Sequence, residues 1–163
     1  MAQTPMPRSL GSELPPHVSA LLDGSELASR VGLTFLLLTT DAAGWPHVAM
    51  LSVGELLATE PSKIRAALWL SSSSSRNLER TGRAVLASVL DSAGYYVRVR
   101  AERLGDVDVG VDGRLAAFSF AIEDVQEDVV TYARLTSGIT FELEQPERVL
   151  PRWGRTIAAL RAI

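Results

Sequence analysis

The segment IRAALWLSSSSSRNLERTGRAVLASVL, residues 64–90, decides the reading of the chain. Residues 64–70 and 84–90 are dense in branched and aromatic apolar side chains, the composition of buried strands. Between them five consecutive serines, Ser71 to Ser75, run into Arg76, Asn77 and Leu78 and stop at Gly82. Glycine tolerates the left-handed conformation that ends many helices, so the spacing predicts strand, one or two turns of helix, then strand. A hydroxyl run at the entry to a helix sets side-chain donors beside the unpaired N–H groups of the first turn, where the helix dipole favours an anion. A phosphate suits that corner, with Arg76 adding charge if its side chain turns inward. Serine is also a strong N-cap, so capping alone is the competing reading of the same residues.

Working outward, residues 33–40 read as a central strand that ends in the turn Asp41-Ala42-Ala43-Gly44, with Gly44 free to take positive φ. Pro46 opens a return strand over 47–54, and further strands are expected at 95–104, 115–125 and 139–144, with 127–137 unassigned. In 95–104 Tyr95, Val97, Val99 and Ala101 alternate with Tyr96, Arg98, Arg100 and Glu102, so one face is apolar and the other polar. Val18, Leu21 and Leu22 predict a short helix before Asp23-Gly24. Leu150, Trp153, Ile157 and Leu160 predict a closing amphipathic helix with Pro151 near its start. Short strands with helices only at the ends and in one crossover indicate an antiparallel barrel rather than βαβ units. With 163 residues and no internal repeat or linker, the expected organisation is a flexible tail over 1–13 and one domain over 14–163.

Composition narrows the function. Sixteen Lys and Arg oppose 19 Asp and Glu, for a net charge of -3. No block of basic residues offers a footprint for nucleic acid or an anionic membrane. Cysteine is absent and histidine occurs twice, which excludes disulfides and thiolate metal sites, leaves little for a histidine cluster and predicts no metal. Lys63 is the sole lysine, so any anion site must use arginine, hydroxyls or backbone amides. No apolar stretch approaches the roughly 20 residues that cross a bilayer, and residues 1–16 lack the apolar core of a secretory signal. A cytoplasmic location is expected. The acidic stretch around Asp106, Asp108 and Asp112 lacks the glycine at the sixth position and glutamate at the twelfth of a calcium loop, and reads as a polar hairpin.

Taken in order, LTTDAAGWPHVAMLS at 38–52, the quoted 64–90 segment and YYVRVRAERL at 95–104 resemble the pyridoxamine 5'-phosphate oxidase-like FMN-binding split barrels. The resemblance covers residues 33–104 and implies a mainly β fold: a six-stranded antiparallel split β-barrel with short flanking helices and a C-terminal helix. It also implies a homodimer with FMN at each end of the subunit interface. The strand carrying Ala49, Met50, Leu51 and Ser52 would lie along the flavin. Leu70 and Ser71 would touch the cofactor, and Ser72, Ser74 and Ser75 would stand near its phosphate, to which the reading of the serine corner itself adds Ser71 and Arg76. Oxidases of the family place an arginine where this chain has Ala49 and basic residues near Ser73 and Ser74, and those cations are missing here.

The resulting expectation is an FMN-binding flavoprotein that supports oxidation or reduction of an unidentified small molecule, with no catalytic acid or base assigned. Two other readings stay open: a non-catalytic dimeric barrel with little FMN affinity, and a deazaflavin-dependent reductase. Weaker site candidates are Trp69, Tyr95 and Tyr96 against a ring, Arg98 and Arg100 for an anion, His47 at a strand start, and Trp153, whose helical spacing also places it on a buried face.

Overall fold

The computed structural model describes residues 6–163, so residues 1–5 of the expected tail lie outside the described residues. Among the described residues, eight strands form one antiparallel sheet: β1 (Arg8–Ser9), β2 (Phe35–Thr40), β3 (Pro46–Leu51), β4 (Leu56–Glu60), β5 (Lys63–Trp69), β6 (Arg83–Leu90), β7 (Ala93–Asp108) and β8 (Arg114–Asp128). Three α-helices accompany it, α1 (Pro16–Leu21), α2 (Ser73–Thr81) and α3 (Pro146–Ala162). The neighbour order is β3-β2-β6-β7-β8-β5-β4, with β1 pairing to β8.

The expected antiparallel split-barrel architecture is present, with two corrections to its strands. The sheet has eight strands rather than six, and it is not closed into a continuous hydrogen-bonded ring. Two additions account for the count. Ser52–Glu55 is a turn, with the Glu55 N–H on the Ser52 carbonyl, so the expected 47–54 strand stops at Leu51 and β4 starts at Leu56. Arg8 and Ser9 pair with Glu127 and Gln126 of β8. The strand expected at 139–144 does not form. Its apolar residues Phe141 and Leu143 pack against the core instead, Phe141 meeting the Trp153 ring edge-on at 6.4 Å.

Connectivity explains the curl. β3 and β4 stand at opposite ends of the path, yet only residues 52–55 join them, and four extended residues reach about 14 Å at most. The sheet must therefore roll until its two edges nearly meet, leaving a seam between them. Inside the roll lie Phe35 and Leu37 of β2, Leu86 of β6, Val97 and Val99 of β7, Phe118 and Phe120 of β8, and Ile64 and Ala66 of β5. The alternate residues Ala67 and Ala117 face outward into a second cluster with Ile157 and Leu160 of α3. β5 is thus covered on both faces, by the barrel core and by α3.

α3 begins at Pro146 rather than near Pro151, which lies inside the helix. Proline suits the first helical turn because no intrahelical acceptor awaits its missing N–H. No helix among the described residues is long and apolar enough to cross a membrane.

Candidate functional site

α2 is capped by Ser72, whose backbone is extended and whose hydroxyl accepts from the Ser75 N–H at 3.1 Å. The Ser72 hydroxyl in turn donates to Ser75 Oγ at 3.0 Å, and Ser75 Oγ donates to the Trp69 carbonyl at 2.8 Å. These two serines therefore tie the end of β5 to the first turn of α2. The helix stops at Gly82, in the left-handed region at φ 62°. Asn77 anchors α2 to β2 through a buried Nδ2 to Thr39 Oγ1 hydrogen bond of 3.0 Å.

Ser74 differs from both. It is buried, and its hydroxyl makes no hydrogen bond to the described residues while no buried side-chain polar atom is left unpartnered, so Oγ opens onto free space. That space is a cleft of about 130 Å³ lying in the seam. Its walls are Ala49, Met50 and Leu51 of β3, Gly54 and Glu55 of the turn, Ala67, Leu68 and Trp69 of β5, Ser72 and Ser74, Arg152, Trp153 and Thr156 of α3, and Val109, Asp112 and Leu115, with Asp112 paired to Arg155.

Of the residues expected at a site, the fold brings Met50, Leu51, Ser72 and Ser74 to this cleft, together with Ala49, Trp69 and Trp153. Ser52, Leu70, Ser71, Ser75 and Arg76 do not line it. Ser52 stands behind the wall, holding Glu55. Leu70 is exposed beside it. Arg76 turns back on its own loop, donating to the Ser71 carbonyl at 2.5 Å and to Ser73 Oγ at 3.2 Å. Tyr95 and Tyr96 lie elsewhere, donating to Glu127 at 3.1 Å and Asp128 at 2.9 Å. Arg98 and Arg100 join Arg83 around a separate outer concavity, where Arg100 pairs with Glu123.

Sequence reasoning did not select Gly54, Glu55 or Arg152. A Cβ on Gly54 would stand 2.0 Å from Trp153 Cγ, so this glycine lets α3 lie against the turn. Glu55 Oε2 accepts from both the Ser52 N–H and the Ser52 hydroxyl at 2.5 Å. Burial pushes the Glu55 carboxyl above its ordinary range, while the two Ser52 hydrogen bonds and the Arg152 charge pull the other way. Arg152 lies 5.8 Å from the Trp69 ring centre, a cation–π distance, and forms no ion pair among the described residues. The sequence signal was Ser52-x-x-Glu55, the spacing of a reciprocal Ser/Glu cap, directly after an apolar strand.

No family model matches the chain. It is 40% identical over 141 residues to the uncharacterized protein YclD of Bacillus subtilis (strain 168), covering 86% of this chain and 91% of that protein. In structure it is similar to a candidate pyridoxamine 5'-phosphate oxidase from Lactobacillus delbrueckii, with TM-score 0.53 and 17% identity over 72% of this chain and 98% of that one. It is also similar to HupZ of Group A Streptococcus, with TM-score 0.52 and 14% identity over 79% of this chain and 99% of that one. At such identities the likeness is one of fold.

Proposed function

Because the chain belongs to the family of Bacillus subtilis YclD and folds as a split barrel like the candidate oxidase, we propose that it is a flavin-binding protein, with FMN as the cofactor. The observation that carries this reading is the seam cleft itself. A helix N-terminus, a serine hydroxyl and a guanidinium without partners among the described residues, and an apolar shelf converge there. Those groups fit a ligand that is anionic at one end and flat and apolar elsewhere.

Ser72 and Ser74, with the first-turn N–H groups of α2, would hold the phosphate. Met50 and Leu51 would border the ring, and Trp69 would cover apolar area at the mouth. Arg76 would join only by leaving Ser71 and Ser73, which its exposed side chain can do at small cost. When bound, the flavin supplies hydride or electron transfer. The residues of this chain position it and keep water away from one face.

The cleft is smaller than the roughly 300–1000 Å³ of sites that enclose a drug-sized ligand, so one chain covers only part of FMN. Met50, Trp69 and Leu70 are 66%, 57% and 45% exposed around it, a shelf that a second copy of the chain would roof. We therefore include a homodimer in the proposal.

The test is direct. Freshly purified protein should be yellow, or the colourless protein should quench added FMN fluorescence to saturation at one equivalent per chain. A deazaflavin retained in place of FMN moves the assignment to the reductase reading. Protein that carries nothing and ignores FMN is a non-catalytic barrel, and the flavin proposal is then withdrawn.

A further inference from the structure

The outer face of the sheet carries a second concavity, of about 520 Å³, that shares no lining residue with the seam cleft. Its basic side follows from strand register. Arg83 of β6 stands directly opposite Arg100 of β7, and Val85 stands opposite Arg98, so all three arginines project from one face. Opposed Cα atoms are about 4.5–5.5 Å apart, and Arg98 and Arg100 are two residues, about 7 Å, apart along one strand. Like charges directly opposite across a ladder destabilise a sheet. One carboxylate of the concavity relieves them in part: Glu123, the extra residue of a bulge in β8, pairs with Arg100. Arg83 and Arg98 form no ion pair among the described residues. Asp124, the cross-strand partner of Arg98, accepts the Ser9 hydroxyl instead.

We propose that Arg83, Arg98 and Arg100 form a binding site for the dianionic head of a small phosphate monoester, separate from the seam cleft. The charge agrees. Three guanidiniums against one carboxylate leave two positive charges in excess, in a chain whose net charge is -3. A phosphate monoester brings about -1.5 to -2, and its oxygens match the planar fork of a guanidinium. The size agrees as well, since sites for small ligands run from roughly 300 to 1000 Å³. A phosphodiester chain fits less well, because it carries one charge per phosphate and needs a basic track rather than one basic spot. Leu38 and Val85 also line the concavity and join it to the apolar outer face of β2 and β6. A contact between two chains is therefore the competing use of the same arginines, and the same experiment reads it. The inference does not depend on flavin binding.

Calorimetric titration of the full chain compares phenyl phosphate with phenyl sulfate, which keeps the same body on a single negative charge, at a pH well above the second phosphate pKa of about 6. Phenyl phosphate should bind at least tenfold more tightly, and that advantage should fall below threefold in Arg83→Ala and in Arg98→Ala. Both side chains are exposed, so the variants should melt as the wild type does. Arg148→Ala, which removes one exposed charge from α3, controls for net charge and should keep the full advantage. Glu123→Gln releases Arg100 and should tighten phenyl phosphate at least threefold, a gain that a purely structural ion pair would not produce. No binding, or equal binding of the two probes, overturns the inference. So does an advantage that survives in both Arg83→Ala and Arg98→Ala. An advantage lost in Ser74→Ala but kept in Arg83→Ala places the phosphate in the seam, which overturns this site and favours the cofactor reading. Arginine variants that sediment as monomers from a dimeric wild type while binding phenyl phosphate normally assign the arginines to a contact between chains, and overturn it too. Protein that ignores FMN yet keeps the arginine-dependent preference loses the flavin reading alone.

Discussion

At the scale of single residues, Gly54 has the least freedom to vary. The turn after β3 approaches Trp153 so closely that a methyl group would lie within bonding distance of the indole, and Trp153 is 3% exposed with the barrel core behind it. Neither partner can step aside without moving α3. Gly54→Ala should therefore destabilise the fold by about 1–3 kcal/mol, the ordinary cost of overpacking, read as a lower denaturation midpoint. Gly154, with open space where its Cβ would stand, is the comparison: Gly154→Ala should hold or gain about 1 kcal/mol from helix propensity. Equal midpoints for the two variants would remove the close contact from the account. No pattern in the sequence singles out Gly54, because its constraint comes from a side chain 99 positions later. Glu55 was half readable: Ser52-x-x-Glu55 is a local motif, but the cleft that Glu55 shares with Arg152 exists only after the sheet has curled.

At the scale of elements, α2 was the best-read part of the chain because its determinants are local. The serine run, the stop at Gly82 and the flanking apolar strands all act within about ten residues, and the helix forms over Ser73–Thr81 as expected. The division of labour among the serines was not readable, since it depends on which hydroxyl faces β5 and which faces the seam. Ser75 is spent on the Trp69 carbonyl and Ser72 on the cap, whereas Ser74 is free. Ser75→Ala should thus cost about 1 kcal/mol of stability, the usual value of one internal hydrogen bond, and leave ligand affinity nearly unchanged. Ser74→Ala should do the reverse, melting within about 1 °C of wild type while binding FMN several-fold more weakly. A Ser74→Ala protein that binds normally would return the serine run to a purely capping role. The strand expected over 139–144 failed for a reason that also lies outside the element: an apolar alternation is satisfied equally by a ladder or by side chains wedged under α3, and here Phe141 and Leu143 take the second course.

At the scale of the molecule, one face of the sheet lacks a cover. Strands β3, β2 and β6 pair so that Met50, Leu36 and Ala87 form one cross-strand row and Val48, Leu38 and Val85 the next. Val48 is 52% exposed in this patch. Contiguous exposed apolar rows of this kind mark an interaction surface. β3 is an edge strand that also walls the seam cleft, so whatever covers the rows lies over the cleft mouth as well. A second copy related by a two-fold axis meets both requirements, since a self-complementary patch closes on itself and produces two equivalent sites. The double variant Val48→Asp/Met50→Asp changes outward-facing side chains and should fold, but in a dimer it would bury carboxylates without partners, at a cost of several kcal/mol. Sedimentation equilibrium should show the wild type as a dimer and this variant as a monomer, with dissociation raised at least a hundredfold. Val129→Asp, at an exposed site off these rows, should stay dimeric. If the cleft is completed across that interface, FMN retention falls with the dimer, and FMN added to the monomeric variant should bind with the weak affinity of half a site. Monomeric wild-type protein that holds FMN tightly would mean that the seam alone suffices and that the exposed rows serve some other contact.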